Sequence, residues 1–116
     1  MKTSSAKAKG RRLQQTVAKA ICKAFDLPES DVKSLPMGAQ GCDVWLSGAA
    51  LLKFPFSVEC KNVEKLNVWK AWEQAEANSI QSGHPLVVFS RNRSKVLAVI
   101  EFDTLLGLLS EHKTKT

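Results

Sequence analysis

The sequence predicts an α/β fold in which a mixed central β-sheet is flanked by helices in the order α-β-β-β-α-β-β-α. Two long stretches carry apolar residues at helical spacing, and between and after them lie short runs rich in β-branched and aromatic residues. With 116 residues, 44% of them hydrophobic, the chain can bury one core and is too short for two ordinary domains.

A first helix is expected from about Ser5 to Phe25, because Leu13, Val17, Ala20, Ile21 and Ala24 recur on one side while lysines and arginines take the other. Gly10 marks the start of the ordered part, so 1–10 reads as a basic, flexible N-terminal arm and 11–116 as a single domain. Leu27-Pro28-Glu29 ends the helix, since proline disfavours helical backbone in the residue before it. Asp31 to Leu35 reads as a short strand, followed by the turn residues Pro36, Gly38 and Gly41. Asp43-Val44-Trp45-Leu46, with the apolar stretch Ala49 to Phe54 leading through Pro55 into Phe56–Lys61, reads as two neighbouring strands. In the second, a period of two puts Ser57, Glu59 and Lys61 on one face and Phe56, Val58 and Cys60 on the other.

A second helix is expected from about Leu66 to Gln81, with Val68, Trp69, Ala71, Trp72 and Ala75 on its apolar side and Asn67, Lys70, Gln74 and Asn78 forming a polar stripe. Gly83 and Pro85 end it. Leu86–Phe89 reads as a central strand, Arg91–Ser94 as a turn, and Val96–Phe102 as a returning strand. Asp103 to Glu111 closes the chain as a short helix capped by Asp103 or Thr104.

The formal charge of +6 favours a polyanionic partner. Within 1–25 lie Lys2, Lys7, Lys9, Arg11, Arg12, Lys19 and Lys23 with no acid, which suits nucleic acid phosphates or an anionic surface. No apolar run approaches the roughly 20 residues that span a bilayer, so no membrane association is expected. Cys22, Cys42 and Cys60 form no CxxC pair and leave an odd thiol, which argues for a reducing, cytoplasmic setting and against a disulfide framework or zinc ribbon. His84 and His112 stand apart, giving no transition-metal cluster.

Asp43, Glu59 and Lys61 carry the chemistry. An ionisable group alternating with apolar residues in a strand costs folding free energy unless something pairs with it. Glu-x-Lys alone says little, since Glu111-His112-Lys113 repeats it in the polar C-terminal tail, and a Glu59–Lys61 surface ion pair is the plain alternative. Context separates the two occurrences. Carboxylates at the ends of adjacent strands can converge on Mg²⁺, a hard cation that takes oxygen ligands and retains waters, with Mn²⁺ as a substitute and the Cys60 carbonyl as a third ligand. Lys61 shares the strand face of Glu59, and its role is charge stabilisation ahead of general-base work.

The segments Gly41-Cys42-Asp43, Phe54–Asn62 and Trp69–Ala75 resemble the PD-(D/E)XK nuclease superfamily, and more closely its small phage-encoded endonucleases and junction-resolvase-like members, as does Ala8–Gln14. The resemblance spans about residues 7 to 110. It implies a restriction-endonuclease-like fold and Mg²⁺-dependent cleavage of DNA. Asp43 then matches the first metal-binding acid, Glu59 the second, Lys61 the catalytic lysine, and Gln74 the helix glutamine that orients the site. Two departures stand out. Cys42 precedes Asp43 where proline is common, and the first helix offers Gln14 and Gln15 where many resolvase-like members have a glutamate, which favours one metal ion over two.

Phosphate contacts are expected from Lys9, Arg11 and Arg12 on the first helix, from Lys65 and Lys70 near the site, and from Arg91, Arg93 and Lys95 in the late turn. Trp45, Trp69 and Trp72 suit a core or interface better than base stacking. With no base-reading module in view, recognition of branched DNA is expected over a long specific sequence. Symmetric cutting of a junction needs two sites, and hence a homodimer. A phage-encoded enzyme of this kind would act in the bacterial host cytoplasm. The competing readings are a general nickase or nonspecific endonuclease, a noncatalytic DNA-binding module on the same fold, and an RNA-binding protein with a basic arm.

Overall fold

The computed structural model describes residues 4–36, 41–79 and 83–114. Helix α1 (Ser4–Phe25) leads through a 3₁₀ turn (Glu29–Asp31) into β1 (Val32–Ser34). After β2 (Val44–Leu46) come helix α2 (Gly48–Lys53) and β3 (Phe56–Asn62). Helix α3 (Val68–Asn78), β4 (His84–Ser90), β5 (Leu97–Ile100) and helix α4 (Phe102–Thr114) complete the order. The five strands form one mixed sheet in the order β1-β2-β3-β4-β5. Only β3 and β4 run parallel, joined by the α3 crossover; the other neighbours are antiparallel. This is the mixed sheet between helices expected of a restriction-endonuclease-like fold.

Both faces of the central strands are covered. On one face, Val32, Val44, Leu46, Phe56, Val58, Cys60, Leu86 and Val88 pack with Leu13, Val17, Ala18 and Ile21 of α1. Each such aliphatic side chain contributes roughly 1.5–3 kcal/mol when fully buried. Phe54 links α1 to the sheet, its ring 5.5 Å from that of Phe25 and 4.9 Å from that of Phe56. On the other face, α3 lays Ala71 and Ala75 against Val87, with Leu66, Trp72, Phe89 and Val99 around them. The small alanines let the helix approach the sheet closely.

Several boundaries differ from the sequence expectation. Ala49–Phe54, expected as strand, is instead the helix α2 with Phe54 as its C-cap, because the Ser47 hydroxyl accepts the Ala50 N–H at 3.1 Å and the alanines and leucines that follow favour helix. Helix α1 starts at Ser4, so most of the expected arm continues the helix; Ala6, Lys7, Ala8 and Lys9 are good helix formers, and Gly10 lies inside it. Helix α3 is shorter than expected, beginning after the Asn67 cap, whose side chain accepts the Lys70 N–H at 3.1 Å. The expected end at Gln81, like the turn residue Gly38, lies outside the described residues. Helix α4 begins at Phe102, expected as the end of the last strand, and runs past the expected end at Glu111 to Thr114, so Glu111-His112-Lys113 is helical backbone. The β3–β4 entry depends on Gly83, which has φ +101°, and a Cβ there would lie 2.7 Å from the Pro55 carbonyl oxygen.

Candidate active site

Strand β3 carries the site. Ser57 and Glu59 turn toward α3 and are almost fully buried, 1% and 2% exposed, and Lys61 follows on the same face, half-buried where the strand ends. A polar pair buried in a strand core must be satisfied internally, and it is. Asn78 of α3 donates its Nδ2 to Glu59 Oε1 at 2.7 Å, while the Ser57 hydroxyl donates to the Asn78 carbonyl at 3.5 Å.

Asp43 reaches the same place from the loop before β2. Gly41, at φ +93°, turns the chain into it. Its backbone is then held from two sides, with the Leu35 N–H donating to the Asp43 carbonyl at 2.9 Å and the Asp43 N–H donating to the Val58 carbonyl at 2.8 Å. Its Oδ2 accepts the Cys60 N–H at 2.7 Å. The two carboxyl groups meet. Burial raises the Glu59 pKa to about 7; the Asn78 hydrogen bond opposes that rise, the charge of Asp43 and a hydrogen bond between the two carboxyls add to it, and nearby Lys61 lowers it.

Asp43, Glu59 and Lys61 are therefore gathered into one constellation. Burial first, and then the charges of Asp43 and Glu59, push the Cys60 thiol above its ordinary range, and its side chain lies in the α1-side core. Cys60 can thus contribute only its backbone carbonyl, which shares with the Cys60 N–H the β2 side of the extended strand. The Cys42 thiol is likewise raised, chiefly by burial, and lies beside Ser57 and Glu59 while donating to the Val44 carbonyl at 3.2 Å. All three cysteines are free thiols. Among the described residues no group of three or more histidine, cysteine, aspartate or glutamate side chains is placed to hold a metal ion. Two carboxylates and the Cys60 carbonyl would make an all-oxygen set, the kind that suits a hard divalent cation and not zinc or iron.

Gln74 is exposed on α3, one turn before Asn78, and the hydrogen bond to Glu59 comes from Asn78. Asn78 was legible only as a member of the polar stripe. The available signal is its spacing of seven from Ala71 and three from Ala75, which turns it toward the sheet. Gln14 is buried and accepts from the Ser34 hydroxyl at 3.0 Å, tying α1 to β1, while Gln15 lines a groove.

The basic residues flank the end of the sheet at which β3 finishes. Lys7, Arg11 and Gln15 line a groove of about 410 Å³ with Ser34, Leu35 and Pro36, adjoining Asp43 through Leu35. Arg12 is exposed and Lys9 half-buried on the same helix. Arg91 and Lys95 line a second groove of about 480 Å³ with Val63, Glu64 and Phe89. The two loops there are tied together, Val63 N–H to the Ser90 carbonyl at 3.2 Å and Asn92 N–H to a Glu64 carboxylate oxygen at 2.8 Å. Lys65 and Lys70 are exposed in the β3–α3 loop and the first turn of α3, and Arg93 in the β4–β5 turn. No described helix is long and apolar enough to cross a membrane.

The family model described as "Phage putative PDDEXK endonuclease" matches residues 5–116, nearly the whole chain. Among curated proteins and solved structures, none matches significantly.

Proposed function

Since the chain belongs to the phage PDDEXK endonuclease family, we propose that it hydrolyses DNA phosphodiester bonds at the Asp43, Glu59 and Lys61 constellation in a metal-dependent, structure-selective manner. The observation that carries this reading is the meeting of two carboxyl groups, one from β3 and one from the loop before β2, beside a lysine at the end of the sheet bordered by basic grooves. An ion pair alone would not need the second acid. A single Mg²⁺, or Mn²⁺ in its place, held by Asp43, Glu59 and the Cys60 carbonyl would polarise the phosphodiester and lower the pKa of a bound water. Asn78 holds Glu59 Oε1 in place, and the cation would replace the proton that Glu59 and Asp43 share in the metal-free site. Lys61 supplies positive charge where the phosphate gains negative charge. Lys7, Arg11, Arg12, Lys65, Lys70, Arg91, Arg93 and Lys95 bind flanking phosphates, which positions the duplex without reading its sequence.

The preferred substrate in this reading is branched DNA in the host cytoplasm, cut by a homodimer. Support for self-association comes from α4, where Phe102, Leu105, Leu106 and Leu109 recur at helical spacing and are 68, 36, 48 and 55% exposed. Trp69, 77% exposed, lies across a groove from Phe102 over the free edge of β5. Together these side chains expose on the order of 500 Å² of apolar surface, at the upper end for a monomer and approaching the ~800 Å² per partner of an ordinary interface.

The test is cleavage of a labelled four-way junction and its matched linear duplex, in Mg²⁺ or EDTA, by wild type and Glu59→Ala. Paired, Mg²⁺-dependent cuts confined to the junction and absent from the variant are expected. Tight DNA binding with no cutting would refute the enzyme in favour of the noncatalytic module, and equal cutting of both DNAs would refute the structure selectivity.

A further inference from the structure

Trp45 is out of place for a core tryptophan. On β2 its neighbours Val44 and Leu46 are buried in the α1-side core, whereas Trp45 points to the opposite face and is 42% exposed. That opposite face is the one on which Glu59 sits, because Val44 pairs with Val58 and side chains alternate along both strands. One residue further along each strand brings Trp45 alongside Ser57. Helix α3 packs on this face over β3 and β4, while Lys33 and Trp45 on the β1–β2 half are exposed. There Trp45 pairs across the ladder with exposed Lys33, whose Nζ lies 6.0 Å from the ring centroid.

We propose that Trp45 and Lys33 form a subsite for an unpaired nucleotide beside the scissile phosphate, an inference that rests on the nuclease reading above. Trp45 follows Asp43 by two residues, about 7 Å of extended chain. That is roughly twice the 3.4 Å rise per nucleotide of a stacked strand, and so matches one unstacked, extended nucleotide. A phosphate at the carboxylates therefore places the adjoining base at the indole. Lys33 lies over the ring at 6.0 Å, and in this reading a base stacks on the exposed part of the indole while the Lys33 ammonium pairs with that nucleotide's phosphate. A base inside a duplex is already stacked on both faces and cannot occupy the site. The subsite thus gives selectivity for branches, gaps or flaps without any hydrogen-bond reading of sequence.

The experiment places 2-aminopurine, whose emission is quenched on stacking, at the unpaired nucleotide next to a duplex junction and, as a control, inside a continuous duplex. Binding is followed in EDTA with wild type, Trp45→Ala, Trp45→Phe and Lys33→Ala. Wild type and Trp45→Phe should quench the unpaired probe and not the duplex probe. Trp45→Ala should lose the quench and bind the branched DNA about 10-fold more weakly, with duplex affinity changed less than about 2-fold. Lys33→Ala should weaken branched-DNA binding and lower its salt dependence by about one phosphate contact. Undiminished quenching by Trp45→Ala, or equal losses on both DNAs, would overturn the subsite. Failure of the wild type to bind any DNA, in EDTA and again with Ca²⁺ in place of Mg²⁺, would overturn the nuclease reading itself, and the subsite with it.

Discussion

Raising the pH of the metal-free protein should destabilise it through Glu59. The carboxyl titrates at about 7 in the fold against an ordinary 4.5, the rise coming first from burial. The folded state therefore holds this proton to higher pH than the unfolded chain does. The resulting stabilisation is fully present below pH 4.5 and is lost as the pH climbs through 7. At about 1.4 kcal/mol per pH unit the ceiling is about 3 kcal/mol, and screening at the open side of the site reduces the expected loss to about 2 kcal/mol. Urea unfolding in EDTA, followed by tryptophan emission at pH 5 and pH 8, reads this directly. With a denaturant slope of about 1–3 kcal/mol/M, the wild-type midpoint should fall by about 1 M between the two. Glu59→Gln keeps a neutral group of the same shape, so its midpoint should move far less and should exceed that of the wild type at pH 8. Equal pH dependence in the two proteins, or a wild type that gains stability toward pH 8, would refute the assignment of Glu59 as a buried acid strained by its neighbours.

Other consequences are as concrete. Asn78→Ala should slow Mg²⁺-dependent cleavage by about 10- to 100-fold, the effect of losing a hydrogen bond to a carboxylate, with DNA affinity preserved in a filter-binding assay. Gly83→Ala should lower stability by about 2 kcal/mol in urea unfolding, since φ +101° and the Pro55 carbonyl at 2.7 Å both oppose a Cβ. The double substitution Leu106→Glu, Leu109→Glu should yield a monomer by light scattering that keeps its fold by circular dichroism, because both side chains face solvent in the single chain; an unchanged mass would dismiss α4 as the interface.

The sequence was most readable where a single period governed a segment. Helix α1 and the alternation of β3 follow from spacing, because each buries a continuous apolar stripe. Ala49–Phe54 misled because a short apolar run fits strand and buried helix alike, and the deciding contact is a single hydroxyl, Ser47 to Ala50 N–H. For the candidate site, Asp43, Glu59 and Lys61 stood out from their place along the sequence, and the fold brings the two carboxyl groups and the lysine near one another. Asn78 did not, because its function depends on how far α3 is rotated over the sheet. That rotation is set by the alanine contacts at Ala71 and Ala75, and the spacing of Asn78 from them, the one local signal, was hidden by its membership of a polar stripe.

The hydrogen bond from Cys60 N–H to Asp43 Oδ2 makes this carboxylate a rung of the sheet, standing where the next residue of β2 would have supplied a carbonyl. Scaffold and chemistry are therefore spliced at one side chain. Replacing Asp43 with alanine removes a charge and also frees a strand amide, so lost activity would be ambiguous between chemistry and fraying. Asparagine keeps an oxygen to accept the Cys60 N–H while surrendering the charge. The difference between Asp43→Ala and Asp43→Asn then measures how much of the acid's worth is spent on holding β2 to β3, and the activity lost by Asp43→Asn alone measures what is left for the phosphate.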